Sequence, residues 1–371
     1  MEIRVERETF LKGLGKVLGV VERKSTMPIL SNTLLEATAD EVRLTGTDLD
    51  VGTVTSYPAE VSKGGRVAVD ARKLHDIVKE IAEARISLKK LDNNWLEVSA
   101  GKAKFKITGL SPDEFPNLPD IGSAKFAPVP AKVLAEMLDK TSFSVSTDET
   151  RYNMSGVYVE KVTEGKKPGL RMVSTDTHRL SKIEKPLDKA PDLPAGVILP
   201  RKGVAEMRKL AEEAGDGAVE LGFAAGNAVA RSGKTTVVMR LIEGQFPPYS
   251  SVLPKGNTRI LSVDRGRFAA SLRRISVLSS ERIKGVKLEL SKSGLVLSAS
   301  NPEFGEAREE VEADFNGDTL EIGFNAKYLL DVLSVLAEEV VELALADDSS
   351  PGLLKAKGND DFLYVIMPMR I

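Results

Sequence analysis

The chain has 371 residues, 42% of them hydrophobic and 29% charged, with a formal charge of −2, the profile of a globular protein of two or three domains. The absence of cysteine removes disulfides, zinc–thiolate sites, iron–sulfur clusters and thiol nucleophiles, and two histidines leave little for metal or acid–base sites. A near-neutral charge excludes DNA binding by bulk cationic attraction, no apolar run reaches the ~18 residues a membrane helix needs, and MEIRVERETF is no signal peptide, so a cytoplasmic placement is expected.

The first third opens on IRVERETFLKGLGKV, an alternating strand around Val5 followed by a helix with Phe10 and Leu14 on one face. The strand LTGTDL ends in the small polar pair Thr47 and Asp48. A second helix, DARKLHDIVKEI, is entered through Lys73, and AKFKITGL closes the third as a hydrophobic strand. Within GKAKFKI, Lys102, Lys104 and Lys106 fall on one strand face and Phe105 on the other. The connector FPNLP, Phe115 to Pro119, marks a boundary, because proline fixes φ and holds its predecessor extended.

The same order returns twice. The middle third has FAPVPAKVLAEMLDKT with Val129, Leu134 and Leu138, then MVSTDT with Thr175 and Asp176, LPRKGVAEMRKL with Lys202, TTVVMRLI, and the connector FPPYSSVLP from Phe246 to Pro254. The last third has LSVDRGRFAASLRRI with Val263, Phe268 and Leu272, LSASNP with Ser300 and Asn301, FNAKYLLDVLSVL with Lys327, and DFLYVIMPM. Four markers repeated in order at intervals of about 124 residues predict a triplicated α+β chain, with domains at 1–120, 125–254 and 258–371. Each third should hold two helices and about eight antiparallel strands.

Apparent catalytic motifs are weak. STDTHRL places Ser174, Asp176 and His178 at i, i+2 and i+4 on one face of an extended strand, which makes a hydrolase the alternative reading. Same-face neighbours on a strand lie ~6–7 Å apart, too far for a relay, and Ser174 has no G-x-S-x-G elbow. SGKTT lacks the first glycine of a phosphate-binding loop, since position 228 is Ala228, so Arg231 to Lys234 reads as a hairpin turn. His75 beside Asp76 reads as a solvated helix residue. No metal site or cofactor is expected.

Charge patterning is more informative. NPEFGEAREEVE gathers Glu303, Glu306, Glu309, Glu310 and Glu312 against one Arg308, opposite in sign to the Lys102–Lys106 segment. Two such segments either pair head to tail between subunits or serve as charged edges that deter aggregation. The terminal YVIMPMRI stays apolar, as a core plug or as a methionine-bearing surface for partner peptides.

Several strings in their order and spacing resemble the bacterial replicative sliding clamps, the beta subunits of DNA polymerase III: MPILSNTLLEA, LTGTDLDV, FPNLP, STDTHRLS, LPRKGV, FPPYSSVLP, NPEFGEA, IGFNAKYLLDVL and YVIMPMRI. The resemblance covers the whole chain. It implies three tandem clamp domains dimerising into a six-domain ring that encircles double-stranded DNA without reading its sequence. The ring would tether the replicative polymerase catalytic subunit and other replication and repair proteins carrying the clamp-binding motif. It would be opened by an ATP-dependent clamp loader, would have no catalytic residue of its own, and would work at the nucleoid. The resemblance places a partner-peptide pocket between the second and third domains, at Met154, Thr175, His178, Arg179, Leu180, Pro247, Val252, Asn325, Tyr328, Val365, Met367, Pro368 and Met369. It makes Lys24, Arg151, Tyr152, Arg201, Lys202 and Arg208 face DNA. It sets Lys73, Lys102, Lys104 and Phe105 against Val277, Leu278, Glu303, Glu306 and Glu309 at the subunit interface. The chain departs from the family's pattern at Ser250 and Ser251, where basic residues are common, and at Asn153, often an aromatic.

Overall fold

The computed structural model describes residues 1–23, 26–163, 168–193, 195–279 and 284–370. The first third holds β1 (Glu2–Glu6), α1 (Arg7–Leu18), β2 (Asn32–Thr38), β3 (Glu41–Thr47), β4 (Val51–Pro58), β5 (Glu60–Lys63), β6 (Gly65–Asp70), α2 (Ala71–Glu80), β7 (Arg85–Lys90), β8 (Leu96–Ala100), β9 (Ala103–Ile107) and β10 (Gly109–Leu110). The middle third holds β11 (Ala127–Pro130), α3 (Ala131–Ser142), β12 (Gly156–Val162), β13 (Gly169–Thr175), β14 (Arg179–Pro186), β15 (Val197–Pro200), α4 (Arg201–Ala214), β16 (Ala218–Ala224), β17 (Asn227–Ser232) and β18 (Thr235–Arg240). The last holds β19 (Arg259–Asp264), α5 (Arg265–Ser276), β20 (Gly285–Ser291), β21 (Gly294–Asn301), β22 (Gly305–Val311), β23 (Ala313–Phe315), β24 (Leu320–Asn325), α6 (Ala326–Val335), β25 (Val340–Leu345), β26 (Gly352–Ala356) and β27 (Phe362–Ile366).

Each third is therefore two strand–helix–three-strand units in succession, as the repeated markers require. The expected eight strands appear in the middle third. The outer thirds add the short β5, β10 and β23, which pair at sheet margins and carry no repeated sequence signal.

By contact the chain divides into two compact units: residues 1–134, 189–194 and 202–241, and residues 135–188, 195–201 and 242–371. The middle repeat contributes to both. The first unit contains the five-stranded sheet β5-β1-β7-β8-β9 and the nine-stranded sheet β10-β6-β2-β3-β4-β18-β17-β16-β11. In it, α1 lies against α2, β3 and β4, and fully buries Phe10, Leu14 and Val17 in a core with Leu35, Leu44, Val67, Leu74 and Ile86. Each such side chain contributes about 1.5–3 kcal/mol. The second unit contains the nine-stranded sheet β15-β12-β13-β14-β27-β26-β25-β19-β23 and the four-stranded sheet β22-β21-β20-β24, with α5 packed on α6. The apolar C-terminus resolves in favour of docking: β27 is an interior strand between β14 and β26, with Val365 and Ile366 buried.

Three of the helices start at a side-chain cap, which explains the acidic or amide residue before each. Asp70 accepts the backbone N–H of Lys73, Asp264 that of Arg267, and Asn325 those of Lys327 and Tyr328.

The two nine-stranded sheets are assembled by one rule. In each, the last strand of a third's first unit pairs antiparallel with the last strand of the next third's second unit: β4 with β18, and β14 with β27. The remaining last strands, β22 and β9, are the unpaired edges of the four- and five-stranded sheets.

Candidate functional site

The small polar pairs that end β3 and β13 are turn chemistry rather than catalysis. In the first turn, Thr47 Oγ1 donates to the Val51 carbonyl (3.0 Å) and Asp48 Oδ1 accepts the N–H of Asp50 and Val51. In the second, Thr175 Oγ1 donates to the Arg179 carbonyl (2.7 Å) and Asp176 Oδ1 accepts the N–H of His178 and Arg179. Leu49 and Thr177 take matching left-handed φ of 82° and 76°. A tight turn of this kind demands exactly such short side chains that can hydrogen-bond their own backbone.

This corrects the single-face reading of Ser174, Asp176 and His178. The strand ends at Thr175, and Asp176 and His178 lie in the turn. Ser174 is fully buried, its hydroxyl donating to the Thr141 carbonyl, while the Asp176 carboxylate is engaged by Arg179 at 3.0 Å. Ser174 is a packing residue, and the hydrolase alternative falls.

The residues proposed for a partner-peptide pocket gather in the second unit, where β14 pairs with β27 with Leu180 opposite Val365. Strand alternation splits them between two faces. Leu180 and Val365 form an apolar floor with Val173 and Tyr249, against which Phe246, Leu253 and Leu353 pack. The linker between the second and third repeats thus lies on this floor. Beneath it Arg171 donates to Glu184 (2.8 Å), Glu160 (2.9 Å) and the Tyr249 hydroxyl (3.0 Å), and Tyr249 donates to Glu160. Burial and the Glu160 carboxylate push the Tyr249 phenol up to about 12, so it remains a donor at any physiological pH.

Arg179 belongs to the other face. Its guanidinium is buried, donates to Asp331 (2.6 Å), Asp176 (3.0 Å) and the Phe143 carbonyl (2.6 Å), and lies 4.3 Å from the Tyr328 ring centroid. Burial opposes its charge, but the surrounding acceptors outweigh this and hold its pKa above the ordinary arginine value. Here Arg179, His178, Asn325 and Tyr328 line a cleft of about 660 Å³ together with Asp148, Arg151, Arg201 and Lys327. His178 is exposed, its ring 6.5 Å from that of Tyr328 and nearly parallel to it. Asn325 has a second duty as the cap of α6.

The remaining pocket residues frame the junction. Met154 is buried at the end of the turn 149–154, Thr175 is buried, Pro247 is half-buried, and Val252 is exposed on the linker. Met367, Pro368 and Met369 are half-buried beyond β27, held by Met367 N–H to the His178 carbonyl (2.9 Å) and Met369 N–H to the Gly323 carbonyl (2.8 Å). Of the two departures, Asn153 donates to the Gln245 carbonyl (2.8 Å) and Ser251 to the Pro248 carbonyl (2.9 Å), so both brace the linker.

The first junction, β4 with β18, is built alike but filled differently. Gly52 pairs with Thr47 and Val238 as Leu180 pairs with Thr175 and Val365. Leu118 of the first linker sits over Gly52, where an added Cβ would meet its Cδ2 at 2.4 Å. At β22 the same register position, opposite Ser300, is Glu306. An apolar floor with a leucine side chain at this position therefore belongs to the second junction.

Among the DNA-facing candidates, Arg201 and Tyr152 are exposed, Arg151 is exposed and donates to Thr177 Oγ1 (2.8 Å), and Arg208 reaches Glu212 at 3.4 Å. The Lys202 ammonium is tied to the Asp48 carboxylate and the Val20 carbonyl (2.6 Å), which binds α4 to the first repeat's turn. Lys24 lies outside the described residues.

The interface candidates lie on β9, on β22 and the turns before them, and on the helix α2 or just after α5. Phe105 and Lys104 are exposed on β9; Lys102 is also exposed but precedes the strand, in the turn, so the single-face reading holds only for Lys104 and Lys106. Lys73 is exposed at the start of α2. On the acidic side Glu303 and Glu306 are exposed, Glu309 is half-buried between Arg274 and Ser271, Leu278 is half-buried and Val277 is 78% exposed after α5. Sequence reasoning passed over Phe304, 71% exposed beside Glu303 and Glu306. An aromatic between acidic residues in a turn was the available signal.

Three family profiles match the chain end to end: DNA polymerase III beta subunit, N-terminal domain over 1–119, central domain over 128–248 and C-terminal domain over 250–370. The chain belongs to the DNA polymerase III beta subunit family. It is 38% identical to the beta sliding clamp of Caulobacter vibrioides and 34% to that of Escherichia coli K12, with both chains covered completely in each case. Among solved structures it is similar to the Caulobacter crescentus beta sliding clamp (TM-score 0.94, 38% identity) and to the DNA polymerase III subunit beta of Pseudomonas aeruginosa (TM-score 0.92, 37% identity), each covered completely. A Bartonella birtlesii sliding clamp bound to griselimycin is equally near (TM-score 0.94, 37% identity). The fold is three tandem clamp domains, and the chain is a processivity subunit of DNA polymerase III rather than its catalyst.

Proposed function

We propose that two copies of the chain close head to tail into a ring around double-stranded DNA, with clamp domains at 1–120, 125–254 and 258–371. The ring tethers the replicative polymerase, and its hold on DNA is topological. The observation that carries this reading is the pair of unmatched edges. Pairing β22 of one copy with β9 of the other obeys the rule that joins β4 to β18 and β14 to β27, and turns a four- and a five-stranded sheet into a third nine-stranded one. The charges suit it: Glu303 and Glu306 on one edge, Lys102 and Lys104 on the other. Two heterologous contacts of this kind in a dimer close on themselves. Wall contacts can then be weak, which permits sliding, and a near-neutral chain suits that need. No helix among the described residues is long and apolar enough to cross a membrane, in keeping with a cytoplasmic site of action at the nucleoid. The chain has no nucleotide motif, so opening falls to an ATP-dependent loader.

The test is retention on DNA of different topology. Loaded onto nicked circular duplex, the protein should survive gel filtration in high salt and be lost once the circle is cut. Equal release from both forms would refute encirclement.

For the peptide site, the reading assigns the floor of Leu180 and Val365 to the apolar side chains of a short extended peptide, and His178 and the C-terminal Met367–Met369 segment to its edges. His178→Ala should weaken binding of a Leu/Phe-bearing clamp-binding peptide by about tenfold, roughly 1.4 kcal/mol. The melting temperature should not move, since the ring is exposed. Unchanged affinity by calorimetry would remove His178 from the site.

A further inference from the structure

The first junction holds a cavity of about 590 Å³. Its walls are α1 at Gly15, α4 at Leu210, and the paired strands β4 and β18 at Thr53, Tyr57, Thr235 and Val237. Strand register supplies an internal comparison. Thr235 pairs with Thr55 and Val237 with Thr53, as Phe362 pairs with Ile183 and Tyr364 with Ser181. The second junction thus places a benzyl and a phenol where the first has the side chains of threonine and valine. Phe362 and Tyr364 are 1% and 0% exposed, and Tyr364 donates its hydroxyl to the Tyr328 carbonyl at 3.0 Å. The void at the first junction is the room those two rings take at the second.

Its polar lining points the same way. At the second junction Ser181 shares a hydrogen bond of 2.7 Å with Ser144. Its counterpart Thr53, 1% exposed, has a hydroxyl without a partner, and so does the neighbouring Tyr57. Buried hydroxyls without partners are uncommon and costly. The charged groups at the cavity are mostly spent on each other: Lys16 on Glu213 (2.6 Å) and Thr235 (2.9 Å), Lys209 on Glu206 (2.8 Å). A neutral guest suits such a wall better than an anion. A cavity of this volume, apolar with a few polar groups, is of the size that takes small organic molecules.

We propose that this cavity is a binding site for a small neutral phenol, its ring filling the space that Phe362 and Tyr364 fill at the other junction. Binding would bridge α1 and α4 of the first unit. It does not depend on the clamp reading above, because it concerns packing inside one unit.

Phenol itself is the probe, titrated into the intact protein with methyl-labelled valine and leucine. The Val237 and Leu210 methyl resonances should shift and saturate with a Kd on the order of 1 mM, about what so small a ligand reaches. Val237→Tyr, which supplies the chain's own phenol, should weaken binding at least about tenfold while holding or raising the melting temperature. Should that variant misfold, Gly15→Leu blocks the same space, since a Cβ there meets nothing within 4 Å. Absence of saturation at about 10 mM phenol, equal binding by both folded variants, or phenol-soaked crystals with only water in the cavity would each overturn the proposal.

Discussion

Reversing the charge of the basic edge should take the particle apart. Lys102→Glu combined with Lys104→Glu places two carboxylates opposite Glu303 and Glu306 of the proposed partner, and like charges held together at an interface cost several kcal/mol. Native mass should fall from about 80 kDa, twice the 40.1 kDa chain, to that of a single chain at micromolar protein, and retention on circular DNA should vanish. Both lysines are exposed, and Lys104 lies 3.3 Å from the Glu97 carboxylate at the surface, so the variant chain should still fold. Mixing the reversed chain with one carrying Glu303→Lys and Glu306→Lys should restore a dimer in which both contacts are complementary, one native and one charge-swapped, and joining all four changes in one chain should restore both contacts in swapped form. A reversed chain that stays dimeric, or a four-fold variant that stays monomeric, would show that β9 and β22 do not meet.

The second large effect is expected at Arg179. Its guanidinium is 7% exposed and lies between Asp176 and Asp331, themselves mostly covered. Arg179→Met keeps the volume and removes the charge, leaving two carboxylates facing each other with one cation fewer. Breaking a buried pair costs about 3–5 kcal/mol, and the lower end applies because Lys327 still reaches Asp331 at 2.8 Å and Asp176 still accepts two backbone N–H groups. Urea unfolding should show a loss of unfolding free energy of that size, read from a lowered midpoint at unchanged slope, with peptide binding reduced as a consequence of a disordered turn. Full stability with lost peptide affinity would instead make Arg179 a direct peptide contact, as the family resemblance implied.

The comparison of His178 with Arg179 shows what neighbouring positions can hide. Both stand in STDTHRL, and both read as candidate peptide contacts. One proves exposed, the other buried beneath the turn with acids from β13's turn and from α6. Nothing in the string separates them, because Asp331 lies 152 residues away. Lys202 is a similar case: a helix-start cation in sequence, but a tie to Asp48 once the two repeats are packed.

What the sequence determined by itself is everything local or periodic. Alternation and helical spacing placed the repeated marker strands and all six helices among the described residues; the repeat interval gave three like domains, and the short polar pairs at β3 and β13 recurred because one tight turn is used twice. Side-chain periodicity and turn chemistry are properties of a few consecutive residues, so they survive in the string. What only the tertiary structure decided are the consequences of register between distant strands. Gly52 lies at Leu180's position and takes Leu118 over it, Thr235 and Val237 stand where Phe362 and Tyr364 stand at the second junction, and β9 and β22 are the closing strands left without a partner in another third. Voids and free edges are relations between elements far apart in the chain, fixed when the sheets assemble and written in no single segment.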